Sequence, residues 1–257
     1  MARPSPEQIV AAHQKAVRAV RVKVEKYTRS VWAGKANFRD SDIDELVERI
    51  VPVVLGGQKQ AASITDAYIA AIVGGKPVGV PNSIGSRGVD PDEVYRRPAA
   101  TVYDQLSKGA TFADAVAAGA NRLQSLVGTD IQMAVRDQAR ESMVANNIVG
   151  YSRVLTGAEN CALCEVAATQ RYFAEELMPI HPGCDCGVAP IEGESDPGQV
   201  INAERLEEIH SSVEPFAGGY DRGGRSPDYR QIMVRDHGEY GPTLTWRTDK
   251  FTGPSDL

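Results

Sequence analysis

The chain has 257 residues, 42% of them hydrophobic and 24% charged, with a formal net charge of -6. That balance predicts a soluble globular protein with room for one large or two modest domains. An acidic chain is a poor candidate for coating nucleic acid through phosphate contacts, no apolar run approaches the ~18 residues that a membrane span needs, and the N-terminus lacks the apolar stretch of a secretory signal.

The charge is unevenly spread. Residues 1–30 hold seven Lys/Arg against Glu7 and Glu25, a local net of +5, and residues 192–257 hold thirteen Asp/Glu against seven Lys/Arg, a local net of -6. A basic head and an acidic tail point to two environments or partners, against the plainer reading of two solvated faces. The basic set Lys15, Arg18, Arg21, Lys23, Lys26 and Arg29 is the candidate contact for nucleic acid or an acidic protein surface.

The first predicted element is a long helix over residues 6–32, roughly 40 Å at 1.5 Å per residue. Ser5 suits the N-cap, Pro6 the first helical position, and Gln8 completes a capping box. Val10, Val17, Val24 and Val31 recur every seven residues, with His13, Val20 and Tyr27 three places after the first three. This a/d seam has to pack on another helix of the chain or on a partner. Val10, Val17, Val20, Val24, Tyr27 and Val31 are therefore candidate interaction residues, and His13 reads as a satisfied histidine on the seam.

A second helical stretch begins near Ser41, with Ile43, Leu46, Val47, Ile50 and Val54 on one face. Pro52 predicts a kink there and Gly56-Gly57 a weak point, before the period resumes from Ala61 to Ile72. Residues 74–90, with Pro77, Pro81 and five glycines, predict an exposed, mobile loop. Asp90-Pro91 opens a third helix ending at Gly109. Thr111, with Asp114 three residues on, caps a fourth that runs toward Asn146, with Gly128 as a candidate break.

The pattern changes at Ile148. Residues 149–155 alternate like a strand, a short helix is expected over 164–169, and residues 186–191 read as a return strand. The tail offers a helix over 200–213, a loose Gly/Arg-rich stretch over 218–227, and two short strands, 231–234 and 243–246, that pair as a hairpin or dock singly. The expected organisation is an α-helical domain (1–147), a small α+β zinc-stapled module (148–192), and an extended, partly irregular acidic tail (193–257).

All four cysteines fall in one 26-residue window, Cys161-Ala-Leu-Cys164 and then His181-Pro-Gly-Cys184-Asp-Cys186. Zinc takes about four nitrogen or sulfur ligands in a tetrahedron. A CxxC turn supplies two, and His181, Cys184 and Cys186 compete for the other places. Two ligand sets stay open: four thiolates with His181 beside them, or three thiolates plus His181 with one thiol spare. In a reducing compartment a structural metal is favoured over late-formed disulfides. Catalytic patterns do not fit. No His-x-Glu precedes the CxxC as in zinc deaminases, HExxH is absent, and the module is too short for a thioredoxin-like unit. Glu165 and Asp185 read as surface carboxylates, and no enzyme activity is expected.

At these residues the chain resembles a known family. The run Tyr151-Ser-Arg-Val-Leu-Thr-Gly-Ala-Glu-Asn-Cys-Ala-Leu-Cys164, followed by Pro179-Ile-His-Pro-Gly-Cys-Asp-Cys-Gly-Val188, is similar to the MuF-like minor capsid (head morphogenesis) proteins of tailed bacteriophages. The ending His237-Gly-Glu-Tyr-Gly-Pro-Thr-Leu-Thr-Trp246, with Phe251-Thr-Gly-Pro254, is similar to the form in actinobacterial phages. The resemblance implies a low-copy virion protein on the capsid interior near the portal, present in host cytoplasm during assembly. Its implied partners are portal and capsid or procapsid proteins, with packaged DNA as a further contact. It carries no catalytic residues over.

Overall fold

A computed structural model describes residues 6–156, 162–177, 186–191, 200, 202–213, 232–236 and 242–246. Four long helices come first: α1 (Pro6–Ala33), α2 (Asp40–Ile72), α3 (Pro91–Ser107) and α4 (Phe112–Ala145). Local capping chemistry sets their starts. The Asp90 carboxylate accepts from the backbone N–H of Asp92 at 3.0 Å, and Thr111 accepts from that of Asp114 at 3.2 Å. Ser5, the expected cap of α1, lies outside the described residues.

α2 and α4 each run as one continuous helix, which corrects the expected break at Gly128 and the weak point at Gly56-Gly57. Packing explains the difference. Pro52 sits on the solvent side of α2, where the carbonyl it leaves without an N–H stays open to water. Gly57 is buried where α2 meets its neighbours, and an added Cβ would lie 2.6 Å from Val24 Cγ2 and 3.1 Å from Ile131 Cδ1. Gly128 lies beneath the guanidinium of Arg21. These glycines let helices approach closely, and burial of the helix faces outweighs about 1 kcal/mol of lost propensity at each.

The valine seam of α1 is covered by the chain itself. Val10, Val17, Val20, Val24 and Val31 are all buried, and only Tyr27, 37% exposed, reaches solvent. Val17 to Val31 join Leu46, Ile50, Val54, Leu123, Leu126 and Ile131 in the main core. The seam is thus an internal contact: of the two coverings open to it, another helix of the chain or a partner, the chain's own elements take Val10, Val17, Val20, Val24 and Val31, which are therefore not presented to a partner helix. Periodicity marks an apolar stripe without naming what covers it.

The loop over 74–90 is exposed along most of its length, as expected, yet it is tied down by buried and half-buried polar side chains. Asp66 accepts from the backbone N–H of Val78 at 3.1 Å and of Gly79 at 2.8 Å. Gln58 donates to the Gly85 carbonyl at 3.2 Å, and Asp137 accepts from the Gly85 N–H at 3.1 Å. Arg87 pairs with Asp130 at 2.6 Å, and Tyr95 donates to the other oxygen of the same carboxylate at 2.6 Å. These last three groups line a cavity of about 260 Å³ between the loop, α2 and α3.

After α4 come β1 (Gly150–Val154), α5 (Ala162–Ala168), β2 (Arg171–Phe173), a single 3₁₀ turn (Ala174–Glu176), β3 (Gly187–Ile191) and α6 (Ala203–Val213). The three strands form an antiparallel sheet in the order β2-β1-β3, with Tyr151 opposite Tyr172 on one side and Pro190 on the other. The sequence pattern does not announce β2; at three residues it is too short to show a period. In the tail, β4 (Ile232–Asp236) and β5 (Pro242–Trp246) pair antiparallel as a hairpin. The expected loose stretch over 218–227 lies outside the described residues. Among the described residues no helix is long and apolar enough to cross a membrane.

The sheet shares a core with the helices. Val10 of α1, Tyr68 and Ile69 of α2, and Ala139 and Met143 of α4 pack with Tyr151, Leu177 and Val188. The Tyr68 hydroxyl donates to the Val188 carbonyl at 2.5 Å. A Cβ on Gly187 would run into Val10, so β3 lies directly against α1.

Candidate metal centre between the sheet and the helices

Cys164 lies on α5 and Cys186 immediately precedes β3. Both are buried, and they pack with Ala167 in one small cluster flanked by Leu155 and Tyr172. The fold thus brings together one cysteine from each half of the motif. Cys161, His181 and Cys184 lie outside the described residues, as does Asp185. Among the described residues, no three His, Cys, Asp or Glu side chains gather as a metal would require.

Two buried arginines converge on the Cys186 sulfur. Arg136 of α4 points Nη2 at Sγ from 3.4 Å and also donates to the Cys186 carbonyl. Arg153 of β1 points Nη1 at the same sulfur from 3.4 Å. Each is only 3% exposed. Arg153 also lies over the rings of Tyr151 and Tyr172, at 5.8 and 5.6 Å from their centroids, and those rings stack at 5.3 Å. A cation against an aromatic face is stabilised by the ring quadrupole. Burial is the main reason the Tyr151 phenol is pushed above its ordinary range.

The described part of the motif supplies two buried sulfurs, fewer than the ligands a metal requires. Two guanidiniums stand beside one of them, and burying a cation without acceptors would be costly. Sequence reasoning misses both. Their signal is local: Arg136 stands three residues before Ala139 and seven before Met143 on the apolar stripe of α4, and Arg153 stands two residues after the inward Tyr151 on β1. A charge at an inward position needs a reason.

His13 of α1 lies within the field of Arg136. Its ring stacks on Tyr68 at 4.2 Å, and its Nε2 sits 2.9 Å from the Thr65 hydroxyl. That hydroxyl donates to the Ala61 carbonyl, so Nε2 carries the proton in the His13–Thr65 bond. Burial, then the Arg136 charge, pushes the imidazole pKa down to about 3. His13 is a neutral core histidine, in keeping with its place on the seam.

The basic set of α1 divides. Lys15, Arg18, Lys23, Lys26 and Arg29 are exposed, whereas Arg21 is half-buried and pairs with Glu25 at 2.6 Å. Lys15, Arg18, Lys26 and Arg29 share one helix face with Val22, which is 53% exposed. Arg29 also reaches Gln124 of α4 at 3.5 Å.

Together these features define a class: a mainly helical protein whose four long helices carry a small antiparallel sheet with a pair of buried cysteines beside it. The chain belongs to the VG15 protein family, whose model matches residues 5–212. The match spans all four long helices and the sheet and ends inside α6; the β4–β5 hairpin lies beyond it. No curated protein and no solved structure matches the chain.

Proposed function

We propose that this chain is a minor capsid (head morphogenesis) protein of a tailed bacteriophage, of the MuF-like kind, present at low copy on the head interior near the portal. Its role is structural, and the Cys/His turn holds a zinc ion that staples the small sheet. One observation carries the reading: the paired motif Cys161-Ala-Leu-Cys164 and His181-Pro-Gly-Cys184-Asp-Cys186, whose two described cysteines pack together beside β1 and β3. Portal and procapsid proteins are the partners this assigns. The test is mass spectrometry of purified procapsids and virions. The chain is expected in both at a small fraction of the major capsid protein, and its absence from both would sink the reading.

A second reading rests on the basic face of α1. Lys15, Arg18, Lys26 and Arg29 form an exposed cationic stripe on an otherwise acidic chain, suited to packaged DNA. Duplex binding should then weaken steeply with salt, and replacing the four by Glu should abolish it. Salt-independent binding would remove this reading and leave the first intact.

A further inference from the structure

We propose that the cavity of about 260 Å³ between α2, α3 and the loop over 74–90 receives one apolar side chain of a partner protein, together with the uncharged backbone carbonyl beside it, which Arg87 holds. This site is independent of the capsid reading and of the cysteine motif.

The cavity has an apolar body. Val51, Val54, Ile84 and Val94 line it and are buried, while Leu55 and Val89, 40% and 39% exposed, line it where it meets solvent. Its volume falls just under the ~300–1,000 Å³ of sites for drug-sized ligands, which suits a single leucine-sized group. The exposed apolar residues at the mouth call for cover on either side of that group. An extended peptide supplies such cover, and a free small molecule does not.

The polar part is one guanidinium. The Arg87 side chain is only 7% exposed. Its Nε donates to Asp130 Oδ1 at 2.6 Å, and the Tyr95 hydroxyl donates to Oδ2 at 2.6 Å. Gln58 spends its amide N–H groups on the carbonyls of Gly85 and Asp130. Arg87 Nη1 has no hydrogen-bond partner among the described residues, and a buried donor left unpaired is costly. Nη1 is shielded from bulk water, so the acceptor that satisfies it comes from a group seated in the cavity, met by a small swing of the guanidinium.

Charge decides which acceptor. Arg87 and Asp130 are the charged residues of the lining, and they neutralise one another at 2.6 Å. A carboxylate or phosphate seated there would face the Asp130 carboxylate, with no uncompensated cation to offset its lost hydration. An amide carbonyl brings an acceptor and no charge. A peptide backbone offers that group at every residue, next to a side chain.

The test uses the full chain, isotope-labelled, and follows its backbone amide NMR signals as N-acetyl-leucine methylamide is added. Saturable shifts are expected at Val54, Ile84, Gly85 and Arg87, with a dissociation constant on the order of 1 mM, in keeping with the efficiency of so small a ligand. Isovalerate carries the same isobutyl group on a carboxylate and should bind about 10-fold more weakly or worse. No saturable shift at these residues, or isovalerate binding as tightly as the capped leucine, would overturn the proposal. Isovaleramide lacks the flanks of a peptide and should also bind more weakly; tighter binding would assign the cavity to a free small amide and overturn the peptide occupant. Arg87→Lys keeps a cation opposite Asp130 and removes Nη1, and should cost about 10-fold in affinity for the capped leucine. Val89→Trp places a large ring at the exposed mouth and should block binding with thermal unfolding unchanged, which keeps the test decisive even where Arg87→Lys fails to fold. Unchanged affinity in either folded variant would overturn the proposal. Self-association of the chain that Val89→Trp abolishes would make the occupant a second copy and overturn the partner assignment.

Discussion

At the scale of single residues, the buried polar groups have the clearest consequences. His13 is held neutral by burial and by the charge of Arg136, with its pKa pushed from 6.5 to about 3. The unfolded chain therefore binds a proton at this site that the folded chain refuses. Stability contributed by the neutral imidazole is fully present above pH 6.5 and is lost as pH falls toward 3, with a slope of about 1.4 kcal/mol per pH unit. Replacing His13 by Gln, which keeps a donor toward Thr65, should flatten the stability–pH curve between those limits. Denaturant unfolding at a series of pH values measures it, and equal slopes in the two proteins would refute this account of His13. The histidine's role is legible from its place on the seam. Those of Arg136 and Arg153 are not, because a guanidinium reads as surface until the fold shows which sulfur it faces.

At the scale of elements, the helices show how the same residue type acts oppositely in adjacent positions. Gly56 is exposed on α2 with open space where a Cβ would stand, whereas Gly57 faces Val24 and Ile131. Gly56→Ala should stabilise the protein by up to about 1 kcal/mol through helix propensity. Gly57→Ala should destabilise it by roughly 1–3 kcal/mol, since the methyl must displace Val24 Cγ2. Thermal unfolding of the two variants distinguishes them, and shifts of equal sign would contradict the packing described. The same contrast explains what can be read in advance. Caps at Asp90 and Thr111 and the apolar periods of all four helices are visible, because they are local. Whether Pro52, Gly57 or Gly128 interrupts a helix depends on what lies across from it, and a lone sequence does not say. β2 escapes notice for a related reason: it is held by its neighbour β1 rather than by any pattern of its own.

At the scale of the whole molecule, the sheet and the helical bundle are joined by a common apolar core and by polar links. Met143, Ile69 and Val10 are fully buried and lie under Tyr151, Leu177 and Val188. A small sheet of this size cannot bury enough area to fold alone and relies on a staple or a neighbour; here it has the neighbour, and the motif supplies the candidate staple. Loss of the sheet should therefore loosen the adjoining ends of α1, α2 and α4 while sparing their centres around Leu46, Leu123 and Leu126. In Cys164→Ser/Cys186→Ser, hydrogen exchange should quicken in 150–191 and also in 8–14, 66–73 and 139–145. Exchange confined to 150–191 would mean that the two parts are energetically independent. The helical body and the cysteine motif are both legible in the sequence, but their joint is not, because Val10 and Val188 belong to separate local patterns that only the folded chain brings together.

The bond from Tyr68 to the Val188 carbonyl, across 120 residues of sequence, has a consequence for synthesis. A ribosome delivers α1 first and β3 long afterwards. Until β3 emerges, Val10 lacks the part of its cover that Gly187 and Val188 supply, and the Tyr68 hydroxyl lacks its acceptor. Early nascent chains would carry this sticky patch at their oldest end, where holding chaperones have time to find it. The last strand of the three-stranded sheet thus closes over the start of the first helix.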